Sequence, residues 1–208
     1  MNLPLPYKHQ HLWTIVGPLG PRVPTHLLSH SILGVDGGAN FVDRMDIWVG
    51  DADSFDGKVI STHEFKHPVS KDSSDLSLAL SLFKNQLLYE LHFWGFLGGR
   101  LDHELFNMGE ILKYLGHFPE SLAIMYRPDG KVGMHLLGSG EWRFSYQGTF
   151  SIGCVENSRV SLKGECRYPI YKETKLAPLS SYGLSNEAYG EVVIHNNGPL
   201  FVYFPEGK

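Results

Sequence analysis

Lys71-Asp72-Ser73-Ser74-Asp75-Leu76-Ser77-Leu78-Ala79-Leu80-Ser81-Leu82-Phe83 is the stretch on which the fold turns. Leu76, Ala79, Leu80, Phe83 and Leu87 recur at steps of three and four residues, the spacing of one buried helical face. Asp72 or Ser73 stands where an N-cap is needed, since a short oxygen-bearing side chain there accepts from the unpaired amides of the first turn. Asp75 falls near the helix N-terminus, off the apolar stripe. A helix of this kind, entered through an acidic loop, is half of a strand–loop–helix unit.

The same unit is legible on both sides. Residues 12–16, 31–35, 46–49, 90–96 and 121–126 read as short strands. Residues 63–69 are a further candidate, with Pro68 keeping it short or at an edge. A short helix can start within 39–44. Residues 102–115 predict a helix, with Leu105, Met108, Leu112 and Leu115 on one face and Gly116 as its stop. This alternation implies a mostly parallel sheet with flanking helices. After Arg127-Pro128-Asp129-Gly130 the helical period vanishes. Runs at 132–137, 141–144, 149–154, 159–162, 167–171, 191–195 and 200–204, punctuated by Gly, Asn and Ser, predict a small antiparallel sandwich or barrel. The expected class is α/β, with an α/β domain over 1–128 and a β-sandwich over 129–208.

The bulk composition narrows the function classes. A chain of 208 residues, 42% hydrophobic and 19% charged, has enough apolar mass for a real core and argues against disorder. A net charge of -4 argues against a broad nucleic-acid surface. No apolar run approaches the roughly 18 residues of a membrane span. The two cysteines, Cys154 and Cys166, match no CxxC pair and read as free thiols of a reducing cytoplasm. The first residues lack a signal pattern, so a soluble cytoplasmic protein is expected.

Four acidic or glycine-rich segments fall at strand-to-helix junctions. They are Asp36-Gly37-Gly38-Ala39-Asn40, Gly50-Asp51-Ala52-Asp53-Ser54, Lys71-Asp72-Ser73-Ser74-Asp75 and Gly98-Gly99-Arg100-Leu101-Asp102-His103. In parallel α/β sheets ligands bind beyond the carboxyl ends of the strands, which is where these loops fall. Gathered carboxylates repel unless a hard cation joins them, and Mg2+ takes carboxylate, water and phosphate oxygens. Gly37, Gly38, Gly98 and Gly99 let backbone N–H groups approach phosphates, and Arg100 offers a planar fork. Each segment alone is an ordinary turn; four in this order are a metal–phosphate site. No GxxxxGK[ST] loop is present, so a nucleotide would be held without a Walker lysine.

Other motifs carry less. His63-Glu64-Phe65-Lys66-His67 matches HExxH, but a zinc site needs that motif on a helix and this segment reads as extended. His26 and His30 read as surface histidines on a short helix, and His9 and His11 as a polar stretch. Phe93, Trp94 and Phe96 read as a core strand, while Trp142 fits core, dimer contact or ligand wall.

The four motifs, in order, resemble those of the thiamine pyrophosphokinases (thiamine diphosphokinases). Arg167-Tyr168-Pro169-Ile170, Leu184-Ser185-Asn186-Glu187 and Gly198-Pro199-Leu200 resemble the later segments of the same family. The resemblance implies transfer of a pyrophosphoryl group from ATP to the hydroxyl of thiamine, giving thiamine diphosphate and AMP, with Mg2+. It implies an α/β catalytic domain, a β-sandwich that binds thiamine and dimerises, and a homodimer with active sites at the interface. It makes Asp51, Asp53 and Asp75 metal contacts, with Asp36 in the same cluster. It places ATP against Asp36, Gly37, Gly38, Asn40, Lys71, Asp72, Gly98, Gly99, Arg100 and His103. Arg100 and Asp102 join the catalytic group at the triphosphate and acceptor ends, with the general base open between Asp102 and the other aspartates. Tyr168, Ser185 and Asn186 fall on the thiamine side. The chain departs from the family at Ser77, where an acidic residue is usual, and at Glu165-Cys166-Arg167, where Gly-Leu-Lys is usual. These departures leave open a pyrophosphokinase for another hydroxymethyl heterocycle, such as a pterin, or a ligand-binding relative without catalysis.

Overall fold

The computed structural model describes residues 11–51, 61–68, 73–83 and 89–208. Asp53, Lys71, Asp72 and Leu87 lie outside these residues, as do His9 and Val69. The chain separates into two compact units, residues 1–110 with 125–130 and residues 111–124 with 131–208.

In the first unit the strands are β1 (Leu12–Val16), β2 (Ser31–Val35), β3 (Met45–Gly50), β4 (Ser61–Lys66) and β5 (Glu90–Trp94). They pair in parallel in the order β4-β3-β2-β1-β5, with Ile15 opposite Leu33 on one side and Phe93 on the other. β1, β2 and β5 are buried at four consecutive residues, because a central parallel strand is covered on both faces. β4 alternates half-buried and exposed residues and sits at the edge, with Pro68 just beyond it. The HExxH letters are therefore mostly strand, with Glu64 out of phase with His63.

The helix α1 (Asp75–Leu80) buries Leu76, Ala79 and Leu80, as the periodicity requires. Its cap is Ser74, whose Oγ accepts from the Ser77 N–H at 3.1 Å, rather than Asp72 or Ser73. Leu82 and Phe83 continue the buried side past the last helical turn. Phe83 meets Trp13 and Tyr89 edge-on at 5.3 and 5.1 Å. α1 packs on β2 and β3, which brings Asp75 to the sheet.

The helix α2 (Leu101–His117) is longer than its periodicity predicted. Gly116 lies inside its last turn, and Pro119, which cannot extend a helix, follows the end. Met108, Ile111, Leu112 and Leu115 are buried, but Leu105 is 50% exposed, so the expected apolar face begins one turn later. β5 stops at Trp94 because Gly95 turns to a φ of 76°; Phe96 is buried beyond it. β6 is Leu122–Tyr126.

In the second unit the strands are β7 (Val132–Leu137), β8 (Gly140–Ser145), β9 (Gly148–Gly153), β10 (Ser158–Cys166), β11 (Ile170–Leu176), β12 (Asn186–Asn196) and β13 (Leu200–Tyr203). Every pairing among them is antiparallel: β7 with β13, β13 with β9, and β12 with β8, β9 and β10, which in turn holds β11. Alternate residues, including Phe144, Phe150, Val160, Leu162, Val192, Ile194, Val202 and Phe204, form one apolar core. β11 and β12 extend well past the short runs read from sequence. Polar and charged residues such as Lys172, Glu173 and Glu187 interrupt the apolar pattern there, while the backbone pairing continues. Both cysteines are free thiols; Cys154 is buried, and burial pushes its pKa up. The architecture is α/β with few helices, and among the described residues no helix is long and apolar enough to cross a membrane.

Candidate active site

The chain leaves β1 and continues to β2, β3 and β4 on one side, then places β5 on the other side of β1. The strand order therefore reverses at β1, and in open parallel sheets ligands bind at the carboxyl edge beside such a switch point. Gly17 N donates to the Trp94 carbonyl at 2.8 Å and Leu19 N to the Gly95 carbonyl at 3.1 Å, which ties the loops after β1 and β5 together. The segment after β2 is a 3-10 helix, Asp36–Phe41, with Gly37, Gly38 and Ala39 buried. A Cβ at Gly38 would overlap the Val16 carbonyl, so only glycine lets this helix approach the end of β1. Asp36 itself has a φ of 47°, and its carbonyl accepts from Trp48 Nε1 at 3.0 Å. A Cβ at Gly50 would stand 2.9 Å from the Asp36 Cα. The ends of β1, β2, β3 and β5 thus converge, carrying Asp36 and Asp51 to one sheet edge. Asn40 follows Asp36 on the 3-10 helix, and Asp75 opens α1 against β2 and β3.

The fourth loop is organised by its own helix. Glu104 Oε1 accepts from Gly98 N at 2.7 Å and Gly99 N at 2.9 Å. The two glycine N–H groups, expected from sequence to meet phosphate, are held here by an internal carboxylate. Arg100 donates from Nε and Nη2 to the two Asp102 oxygens at 3.1 and 2.5 Å. That pair holds the Asp102 carboxyl below its ordinary range, chiefly by the Arg100 hydrogen bond, and raises the Arg100 guanidinium in turn. His103 is exposed, and its N–H donates to Asp102 Oδ1 at 3.0 Å. The site loops thus carry a self-satisfied Arg–Asp pair and a Glu-capped glycine turn, both exposed enough to exchange for a charged ligand. Glu104 was missed from sequence; its place in the first turn of α2, where acidic residues meet free amides, is the signal that finds it.

Among the described residues no three His, Cys, Asp or Glu side chains are grouped as metal donors. Asp51 and Asp75 are hard oxygen donors, and one or two carboxylates completed by phosphate and water are what Mg2+ accepts. The donor chemistry fits that ion.

In the second unit Tyr168 and Asn186 come together. Asn186 is buried; its Oδ1 accepts from Tyr168 N at 2.9 Å and its Nδ2 donates to the Tyr168 carbonyl at 2.8 Å. The same Oδ1 accepts from Glu187 N at 2.8 Å. The Asn186 amide therefore holds the backbone of Tyr168, whose ring is exposed. The Arg167 guanidinium lies 5.3 Å from that ring centre. Glu187, absent from the expected site residues, faces Arg167 at 3.5 Å and accepts from the Tyr189 hydroxyl at 3.0 Å. Ser185 adopts a φ of 57°, and its N–H donates to Ser151 Oγ at 3.0 Å. Trp142 Nε1 donates to the Gly138 carbonyl at 3.0 Å, and the ring packs against the apolar core.

A second polar cluster lies in the first unit. Buried His92 contacts the Tyr126 hydroxyl through Nδ1 at 2.7 Å and Glu90 through Nε2 at 2.9 Å. His30 stacks obliquely on His92 at 4.6 Å and contacts Thr14 Oγ1 at 2.9 Å. His26 is exposed as expected, but His30 is half-buried. The i,i+4 spacing with His26 concealed this, because a 3-10 helix at Thr25–Ser29 turns the two rings apart in environment.

Residues 25–124 match the sequence profile described as thiamin pyrophosphokinase, catalytic domain. No curated protein is similar enough in sequence to count as a match. Among solved structures, a thiamine pyrophosphokinase from Bacillus subtilis superposes with a TM-score of 0.69 at 19% identity, over 92% of this chain and 97% of that one. One from Geobacillus thermodenitrificans gives 0.68 at 22% identity, over 92% and 96%. One from Candida albicans gives 0.69 at 14% identity, over 96% and 90%. At such identities these likenesses speak for the fold, while the sequence match falls on the segment that holds the four loops. Residues 25–124 are thus similar in sequence to the thiamin pyrophosphokinase catalytic domain, and the chain shares the fold of the solved thiamin pyrophosphokinases.

Proposed function

We propose that the chain transfers the terminal pyrophosphoryl group of ATP to the hydroxyl of thiamine and releases AMP. The observation that carries this reading is that the ends of β2, β3 and β5, which lie within the segment that matches the family's catalytic domain, meet the end of β1 at one sheet edge. The hydroxyl oxygen attacks the β-phosphorus, the bond from that phosphorus to the α,β-bridging oxygen breaks, and AMP leaves with the electron pair. The hydroxyl proton passes to Asp102 or to one of the clustered aspartates. Catalysis of this kind rests on positioning and charge neutralisation, for which carboxylates, glycine N–H groups and one arginine suffice.

In this reading Asp51, Asp53 and Asp75 hold Mg2+, which when bound offsets charge on the triphosphate. Asp36, Gly37, Gly38, Asn40, Lys71, Asp72 and His103 surround ATP. Arg100 leaves Asp102 for a phosphate oxygen, and the Gly98 and Gly99 amides exchange Glu104 for phosphate. Tyr168, held through its backbone by Asn186, offers an aromatic face to the cationic rings of thiamine, with Ser185 on the same side of the substrate. The division into a catalytic α/β domain over 1–128 and a thiamine-binding, dimerising β-sandwich over 129–208 belongs to the same proposal. So do the homodimer with interface active sites and a cytoplasmic location.

Steady-state turnover of thiamine by Asp51→Asn and Asp75→Asn tests the assignment. Each variant is expected to lose about a hundredfold or more in kcat while its thermal unfolding stays near that of the parent. Near-parental rates in both would remove the metal role from these residues.

A further inference from the structure

The carboxyl edge is not the only concave part of the first unit. A cavity of about 520 Å3 is lined by Leu12, Leu28, Ser29, His30, Ser31, Ile32 and residues 43–46. Its lining comes from the starts of β1, β2 and β3, so it lies at the amino end of the strands whose other ends carry Asp36 and Asp51. Five or six residues of strand put roughly 17 Å between the two edges. The volume falls within the roughly 300–1,000 Å3 usual for small-molecule sites.

Its walls divide into two kinds. Leu12, Leu28, Ile32 and Met45 are apolar, and Leu12 and Leu28 stay 37% and 45% exposed. Among the described residues the one cation in the lining is Arg44, which is exposed and forms no ion pair with them. The acids beside it are engaged elsewhere. Asp43 is taken by Arg22 through two bonds of 3.0 and 2.6 Å, and Asp46 Oδ2 accepts from Ile32 N at 2.8 Å. His30 supplies a directional group. The Thr14 hydroxyl donates to the Leu27 carbonyl at 2.9 Å, so its oxygen accepts from His30 Nδ1–H. That fixes the tautomer of the neutral ring and leaves Nε2 as an acceptor for a ligand.

We propose that this cavity is a second ligand site, separate from the acidic loops, that takes a small organic anion: a flat or short apolar body against Leu12, Leu28 and Ile32, with a carboxylate or phosphate monoester on Arg44. An apolar body explains why large aliphatic side chains face open space here. A planar anion is the partner that a guanidinium fork recognises in two bonds.

Phenyl phosphate has both parts and serves as the probe. Calorimetric titration of the full chain, with ATP at saturation to block the acidic loops, is expected to show one saturable site. Arg44→Ala should weaken it about tenfold or more, the usual scale for a lost charge-assisted pair. Leu28→Glu, an exposed change that spares the core, should weaken it as well. The His30 ring resonances should shift on titration in the parent and stay still in Arg44→Ala. Binding that ATP displaces, equal binding by parent and Arg44→Ala, or no binding at all would each overturn the proposal.

Discussion

At the scale of single residues, the polar groups buried in this protein set its most testable properties. Burial holds His92 below the ordinary imidazole value of 6.5, against the upward pull of Glu90, and the same cause lowers His30. The unfolded chain therefore takes up protons just below pH 6.5 while native His92 stays neutral. Stability is full above that pH and falls as the pH drops through the window beneath it. Urea unfolding at pH 7.5 and 5.5 should show this loss, and His92→Gln should flatten it; an unchanged pH slope in the variant would assign the effect elsewhere. Asn186 is the other such residue. Its amide makes three hydrogen bonds to backbone, two of them to Tyr168, so Asn186→Ala is expected to cost about 2 kcal/mol. Denaturant midpoints measure that cost, and a change below a few tenths of a kcal/mol would mean that water replaces the amide at no loss. Asn186 was legible from sequence as a site position by resemblance, but its work as a clamp was not. Which backbone a buried amide satisfies depends on β10 and β12 pairing, which no local pattern encodes.

At the scale of elements, the amide groups at strand and helix ends explain both what the sequence revealed and what it hid. The apolar stripe over Leu76, Ala79, Leu80 and Phe83 was readable because helical burial is periodic and local. The cap was displaced to Ser74, and α2 ran past Gly116, because termini are decided by single hydrogen bonds and by the following proline. The strand limits of β11 and β12 were short in the reading because charged residues on an open face of a paired strand look like loop. The glycine at position 38 was assigned to phosphate, and the structure adds a packing demand: the 3-10 helix Asp36–Phe41 rests on the end of β1 at a distance no side chain permits. Gly38→Ala should therefore destabilise the fold by about 3 kcal/mol, the scale of forced overpacking. Thermal unfolding checks it, and a stable Gly38→Ala that only weakens ATP binding would make the residue a ligand contact alone.

At the scale of the whole molecule, the order β4-β3-β2-β1-β5 is what brings Asp36, Asp51 and the loop after β5, which are far apart in sequence, to one edge of a sheet. The alternation of strands and helices predicted a parallel sheet but not this order, since strand order is a property of long-range pairing. Asp53, Lys71 and Asp72, which complete the expected constellation, lie outside the described residues, so their place rests on the resemblance. Ser77, where the family usually has an acid, sits in the first turn of α1 with its N–H bound to Ser74. Whether that turn still serves catalysis is read from the products. The most direct measurement is to incubate the purified chain with ATP labelled at the β- and γ-phosphorus, Mg2+ and thiamine, and to follow the label. Thiamine diphosphate carrying both labels is expected, with AMP formed in equal amount. Label released as ADP or inorganic phosphate, with thiamine unchanged, would contradict it.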